Sequence, residues 1–157
     1  MSSVEISSIV MSVIETSEQM ADALTVRRRV FIDEQGVTEE EEIDGFDGDP
    51  AQIDSCIHVL GRLDGAAVAT GRLILEQPEG DHPSIGRVAV LAEHRGRHFG
   101  ETVMLALHQQ ARDRDIERVR LEAQLHALPF YERLGYTAMG PVFLDARIEH
   151  RRMELRL

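Results

Sequence analysis

The segment from Ile85 to Glu101 carries residue types that suit a phosphate site. It reads as an apolar strand, then a turn with two arginines and two glycines, then a helix. The first N–H groups of a helix have no partner within the helix, and its dipole adds positive potential there. Glycine lets an anion approach the backbone, and arginine adds charge-assisted hydrogen bonds. The residues predicted to bind a pyrophosphate are Arg95, Gly96, Arg97, His98, Phe99, Gly100 and Glu101.

A second group of reactive residue types is an acidic block between Arg29 and Arg62. Ten aspartates and glutamates lie there, and no arginine or lysine interrupts them. A block of one charge is typically a solvated, mobile face. It could also form the wall of a site that attracts a cation.

Hydrophobic periodicity supplies the elements that position these groups. Thr16 and Gln19 form a capping-box pattern at the start of the first helix. Asp64-Gly65 predicts a hairpin turn, and Gly71 predicts a bulge inside a strand. Strands are predicted at 7–15, 56–63, 67–76, 85–91, 118–123, 136–139 and 147–157; helices at 17–33, 100–114 and 127–134, with a short helix at 38–43 in the loop 36–54. This order predicts an α+β fold, an α/β sandwich with mixed parallel and antiparallel strands in one domain, 1–157.

Two motifs resemble the GCN5-related N-acetyltransferase (GNAT) superfamily. The family pattern Arg/Gln-x-x-Gly-x-Gly/Ala is matched by Arg95–Gly100, where His98 replaces the central glycine. The family pattern Ala-x-x-Phe-Tyr-x-x-Leu-Gly-Phe is similar to Ala127–Tyr136. A further stretch, 27–44, together with His126, resembles the ElaA/YjcF-like branch of this superfamily.

The resemblance implies a fold and a mechanism. The fold is a mixed, mostly antiparallel central sheet of six to seven strands, flanked by helices, with splayed fourth and fifth strands. Acetyl-CoA would lie in that gap, where the backbone of Val88, Ala89 and Val90 lines its pantetheine arm. The N–H near Val90 would polarise the thioester carbonyl, and Tyr131 would be the general acid that protonates the leaving thiolate.

The residues leave the general base and the acceptor contacts open. Glu34, Glu42, Asp44 and His126 are the candidates for removing a proton from the amine, directly or through water. Each of these also has a purely structural explanation. The residues expected to contact the acceptor are Glu42, Asp44, Arg72 and Arg87, the two arginines through a carboxylate of the substrate.

Two other functions compete with amine acetylation. The stretch Glu42–Asp47 resembles the Glu-x-Asp-x-(Phe/Tyr)-Asp pattern of acyl-homoserine-lactone synthases, although those enzymes are longer. A non-catalytic acetyl-CoA-binding module is the other alternative, and His98 in place of glycine is the feature that favours it.

Composition narrows the classes of partner. A net charge of −11 argues against a nucleic-acid partner and is compatible with a cationic one. No apolar run approaches the roughly 20 residues that span a bilayer, and no signal-peptide pattern is present, so we expect a cytoplasmic protein without a membrane partner. We expect a small-molecule amine as acceptor, a possible homodimer, no metal, and a buried structural thiol at Cys56.

Overall fold

Seven strands form one mixed sheet, as the sequence predicts. The structure is a computed structural model that describes residues 8–157, so residue 7 of the first predicted strand lies outside the described part. The strand order is β1-β2-β3-β4-β5-β7-β6, and β4 and β5 run parallel while the other neighbours are antiparallel. The strands are β1 Val10–Val13, β2 Cys56–Leu63, β3 Ala66–Ile74, β4 Ser84–Val90, β5 Arg118–Gln124, β6 Thr137–Asp145 and β7 Ile148–Arg156. The α-helices are α1 Ser17–Arg27, α2 Glu39–Glu42, α3 Phe99–Arg112 and α4 Leu128–Arg133.

Helices cover both faces of the sheet. Neighbouring residues of a strand point to opposite faces, and Gly71 of β3 faces α3 while Arg72 faces the side that α1 covers. The amphipathic pattern of α3 buries Val103 and Leu107 completely against the sheet. No helix within residues 8–157 is both long and apolar enough to cross a bilayer.

The predicted bulge at Gly71 is confirmed. The register between β3 and β4 shifts between Thr70 and Arg72, and Arg87 on the facing strand adopts a left-handed φ of 50°. A Cβ at Gly71 would lie 2.8 Å from Cγ1 of Val103, which is closer than real Cβ contacts allow. Glycine is therefore required where α3 presses onto the sheet. The bulge bends β4 away from β5 at the start of the site.

The long first helix differs from the prediction. We predicted a helix over 17–33, and its start is confirmed by the capping box of Thr16 and Gln19. The α-helix ends at Arg27, however, and continues as a π-helix over Arg28–Glu34. No glycine or proline marks this change in the sequence. The wider turn instead accompanies the burial of Arg27, whose side chain is held by residues far along the chain.

The hairpins give one confirmation and one correction. Asp64 and Gly65 both have positive φ, 50° and 86°, as the predicted hairpin turn requires. The sixth strand was predicted to stop at residue 139, but it continues to Asp145. Pairing with β7 is interrupted around Gly140-Pro141 and then resumes, because the interruption bulges the strand without ending it.

Candidate functional site

A cleft opens where β4 and β5 separate. The two strands pair only at Ser84 with Arg120 and at Ile85 with Leu121, and beyond Ile85 their edges splay apart. The cleft widens into a cavity of about 1130 Å³ whose wall includes β4, β5, α4, the π-helix and the start of β7. This confirms the splayed fourth and fifth strands that the sequence predicts.

The backbone of β4 supplies polar groups to this cleft. Leu91 N–H donates to the carbonyl of Val68 on β3 at 2.9 Å. Backbone groups alternate in direction along a strand, so those of Val88 and Val90 face away from β3 and into the gap. The Val90 carbonyl accepts a hydrogen bond from Nε of Arg95 at 3.0 Å.

The turn between β4 and α3 presents a row of free amides. Gly96 and His98 are left-handed, with φ of 80° and 63°. The N–H groups of the four residues from His98 to Glu101 have no hydrogen-bond acceptor within residues 8–157. Such a row at a helix start forms an anion site. His98 therefore adopts the backbone conformation that the glycine of the family pattern adopts readily. We call residues 88–101 the cofactor wall.

Tyr131 closes the cleft from α4. Its ring makes edge contacts with Phe130 and Tyr136, at centroid distances of 5.0 and 5.8 Å. Burial raises the pKa of the Tyr131 phenol to about 12. No group within residues 8–157 hydrogen-bonds its hydroxyl, although the residue lines the cavity. A protonated hydroxyl is thus available to a molecule in the cleft.

The acidic block is folded around arginines on the opposite side of the cavity. Arg27 is 1% exposed, and its guanidinium binds Glu42 at 2.8 Å and Asp47 at 2.6 Å. Arg72 binds Asp44 through two nitrogens at 2.8 and 2.6 Å and reaches Asp47 at 3.1 Å. Three acids of the block, Glu42, Asp44 and Asp47, therefore belong to a structural unit with arginines. The other seven acids are exposed, as is typical of such a block. The ion cluster, as we call it, consists of Arg27, Glu42, Asp44, Asp47, Arg72 and Arg87.

Charge and burial compete at the acids of the ion cluster. Burial would raise the pKa of Asp44, but the hydrogen bonds and charges of Arg72 outweigh it and hold the pKa well below its usual range. At Glu42 burial prevails against the charges of Arg87 and Arg27, and the pKa is raised. Arg87 lies 3.0 Å from Oε2 of Glu42, and burial lowers the pKa of its guanidinium.

The structure brings together many of the predicted site residues. Of the predicted residues, those on the cavity wall are Glu42, Arg72, Arg87, Val88, Ala89, Val90, Arg95, Gly96, His98, Phe99, Gly100, Glu101, His126 and Tyr131. Glu34, Asp44 and Arg97 lie outside this wall. Glu34 is bound by Arg95 through two nitrogens at 2.8 and 2.9 Å, and the Arg97 guanidinium sits 5.0 Å over the Phe99 ring.

Cys56 lies on the sheet next to the ion cluster. It is 7% exposed, and burial raises the pKa of its thiol to about 12. A thiol of this kind stays protonated and unreactive at neutral pH. The predicted buried cysteine is confirmed.

Sequence reasoning missed several polar residues of the wall, among them Gln124 and His150. His150, on β7, lines the cavity, as does Gln124, which donates to the side-chain oxygen of Gln35 at 2.9 Å. Gln35, Gln124 and His150 are spread over 115 positions of the sequence, and no motif links them. The only signal available was alternation, which places Gln124 of β5 and His150 of β7 on defined faces of their strands.

Comparison with known proteins agrees with this geometry. The model of the Acetyltransferase (GNAT) family matches residues 20–136. A Bacillus subtilis protein described as the uncharacterized N-acetyltransferase YjcF is 34% identical over 140 residues, which cover 88% of this chain and 94% of YjcF.

Two solved structures share the fold over almost the whole chain. An acyl-CoA N-acyltransferase from Pseudomonas aeruginosa superposes with a TM-score of 0.78 at 29% identity, covering 94% of this chain and 99% of that one. Escherichia coli ElaA gives a TM-score of 0.78 at 27% identity, with the same two coverages. With a splayed parallel pair, an amide-lined turn and a family match over three quarters of its length, the chain belongs to the GNAT family of N-acetyltransferases.

Proposed function

We propose that the protein transfers the acetyl group of acetyl-CoA directly to a small primary amine, with Tyr131 as general acid. The observation that carries the proposal is that one cavity is lined both by the free amides of 98–101 and by Tyr131. The amides fit a pyrophosphate, and the β4 backbone at Val88 and Val90 fits the extended pantetheine arm. The thioester would then lie between β4 and α4.

The charges of the cavity favour a cationic acceptor. Glu76 and Asp145 line it and take part in no ion pair within residues 8–157. Arg72 and Arg87 also line it, but both are engaged by acids of the ion cluster. Within the described residues, the wall therefore offers two unpaired carboxylates to an ammonium group against one unpaired cation, Arg133. The predicted contact of Arg72 and Arg87 with a substrate carboxylate would require breaking existing pairs.

The chemistry needs two proton transfers. The amine nitrogen attacks the thioester carbon, the C–N bond forms, and the C–S bond breaks. The attacking nitrogen, protonated in solution, gives up one proton before attack and a second as the amide forms. Tyr131 donates its proton to the departing sulfur and regains one from the amide-forming nitrogen through solvent. Burial disfavours phenolate and thiolate alike, so the neutral thiol is the product that this site favours.

The motif shared with lactone synthases gives no support to lactone synthesis here. Its three acids, Glu42, Asp44 and Asp47, are the acids of the ion cluster. Their positions are accounted for by pairing with arginines of this chain.

Replacement of Tyr131 by Phe tests the proposal. The parent enzyme is first assayed for thiol release from acetyl-CoA with spermidine, kanamycin, 2-phenylethylamine and a lysine-containing peptide. With the most active of these amines, Tyr131→Phe should lower kcat about 100-fold or more. The KM for acetyl-CoA should change little, because the pyrophosphate contacts remain. Because the pKa of this phenol is raised to about 12, it should cause no alkaline fall in kcat below pH 10.

Tyr136→Phe is the matched control, since it removes a phenol that is bonded to His108 and not exposed to the cavity. It should leave kcat within a few-fold of the parent. Equal rates for the parent and Tyr131→Phe would remove Tyr131 from the mechanism, and absence of turnover with all four amines would contradict amine acetylation itself.

A further inference from the structure

We propose that His150 is the general base that accepts the proton of the acceptor amine. The inference rests on the proposed function, because it assigns a role within that reaction. His150 lies on β7 and lines the same cavity as Tyr131. Three observations support it: the state of its ring, its position, and the engagement of the other candidates.

A hydrogen bond sets the tautomer of the neutral ring. Nδ1 of His150 lies 2.7 Å from the carbonyl oxygen of Ile148. A carbonyl oxygen can only accept, so Nδ1 carries the proton. In the neutral imidazole the lone pair is therefore on Nε2. No protein group within residues 8–157 bonds to Nε2, which leaves it free to accept a proton.

A second contact fixes the orientation of the ring. Phe143, which faces His150 across the β6–β7 pair, stacks on it with a centroid distance of 5.9 Å and an interplanar angle of 23°. The residue is half-buried. A base held by a hydrogen bond on one side and a stacked ring on another loses little entropy when it acts.

The register of the sheet puts this ring beside the end of β5. His150 is directly opposite Gln124, the last residue of β5. After Gln124 the chain passes through one short turn and enters α4, which carries Tyr131. The base on β7 and the acid on α4 thus both lie beside the end of the strand that splays from β4.

The four candidates for the base that the sequence offered are engaged or unrestrained. Arg95 binds both oxygens of Glu34, and Arg72 binds both oxygens of Asp44. Protonation of Glu42 would leave the charges of its buried arginine partners uncompensated. His126 lines the cavity, but it is exposed, and no hydrogen bond within residues 8–157 sets its tautomer.

The proton balance is simple. The acceptor ammonium gives one proton to Nε2 of His150, and the neutral amine attacks the thioester. The imidazolium then returns its proton to solvent. Tyr131 serves the sulfur separately, so no oxidant, reductant or further reactant is needed.

The experiment uses acetyl-CoA and the most active amine of the panel named above. His150→Gln should lower kcat about 100-fold while the KM for acetyl-CoA stays within about threefold. His150→Ala should be equally slow, and added imidazole should restore part of its rate in proportion to concentration. Rescue separates a chemical role from a structural one, because free imidazole cannot repair a lost packing contact. Thermal unfolding of each variant is measured in parallel.

Two variants serve as comparisons. His82→Gln changes a histidine that lies outside this cavity and should leave kcat unchanged. His126→Gln tests the rival base and should lower kcat less than fivefold. A parent-like kcat for His150→Gln, or a slow His150→Ala without rescue, would overturn the role of His150 while the parent's activity upholds the proposed function. If the parent acetylates none of the amines, the proposed function fails and the role of His150 with it.

Discussion

The cofactor wall and the ion cluster both contribute to one cavity and are built in opposite ways. The cofactor wall, residues 88–101, uses backbone groups from a single continuous segment, with four consecutive amides left free. The ion cluster uses side chains that extend from Arg27 to Arg87, and every charged group has a partner. One region is therefore open to a ligand, whereas the charges of the other are paired within it, although the buried Nε of Arg72 has no hydrogen-bond partner within residues 8–157. The difference indicates that the cluster shapes the acceptor side and that small changes there affect folding before they affect binding.

The strongest way to test this contrast is to remove one charge from the ion cluster. In Asp47→Asn, Arg27 and Arg72 lose the carboxylate that they share at 2.6 and 3.1 Å. Each arginine keeps a second carboxylate partner, in Glu42 or in Asp44, so the cost is that of losing a hydrogen bond between charged groups, about 1.5–3 kcal/mol. We therefore expect the free energy of unfolding in urea to fall by that amount. Adding acetyl-CoA should raise the urea midpoint of Asp47→Asn by as much as it raises that of the parent.

The control is Glu39→Gln, which removes an exposed pair. Arg28 and Glu39 lie 3.1 Å apart, with side chains 45% and 65% exposed. Exposed pairs contribute about 0–1 kcal/mol, so the unfolding midpoint should hardly move. If Asp47→Asn were as mild as this control, the ion cluster would not be a structural unit.

The same contrast explains which parts were predictable from the sequence. The strands and helices followed from periodicity and turn residues, down to the bulge at Gly71. The amide-lined turn of the cofactor wall followed as well, because its backbone groups lie next to one another in the chain. Tyr131 was reached through its motif and not through periodicity, which would equally predict a core tyrosine.

The rest depended on contacts between distant residues. The π-helix after Arg27 forms without any helix-breaking residue, and it accompanies the pairing of Arg27 with Asp47, 20 positions later. His150 reaches the cavity only because β7 inserts between β5 and β6 in the sheet. Neither arrangement has a local signature. Arg72 and Arg87 were correctly placed beside the cleft, but their partners could not be read from spacing.

A second test concerns how the helix that follows the cofactor wall responds to acid, in contrast to the ion cluster. Behind the cofactor wall, His108 of α3 is bonded to the Tyr136 hydroxyl at 2.7 Å, and burial lowers the pKa of this histidine to about 4. The unfolded chain takes up a proton near pH 6.5 and the folded chain only near pH 4. The contribution of His108 to the free energy of unfolding, about 3 kcal/mol, is thus fully present above pH 6.5 and is lost as the pH falls from 6.5 to 4.

The variant that isolates this effect is His108→Leu with Tyr136→Phe, which removes both polar partners together. Replacing a bonded pair by apolar groups is close to neutral at pH 7. Between pH 6.5 and 4, the unfolding free energy of the double variant should fall by about 3 kcal/mol less than that of the parent. Asp44 keeps its charge throughout this window, because its hydrogen bonds with Arg72 hold its pKa below the usual range. An unchanged slope would assign the acid sensitivity to another group, such as His58, whose pKa burial also lowers.

The smallest expected effect concerns His98, which has a left-handed backbone although it is not a glycine. His98 holds a φ of 63° at the N-terminal end of α3, and its side chain is 87% exposed. A left-handed conformation costs a residue with a Cβ about 1 kcal/mol, and glycine removes this cost. Part of the gain is lost again, because glycine has more conformational freedom in the unfolded chain. His98→Gly should therefore raise the unfolding free energy by about 0.5 kcal/mol. Arg97→Gly is the matched control: Arg97 is not left-handed, so the added freedom should destabilise it. Affinity for CoA, measured by calorimetry, should be unchanged in His98→Gly, because the proposed function assigns phosphate binding to the amides and not to the imidazole. Loss of stability in His98→Gly would show that the imidazole itself holds the turn, and loss of CoA binding would show that the cofactor wall depends on a side chain after all.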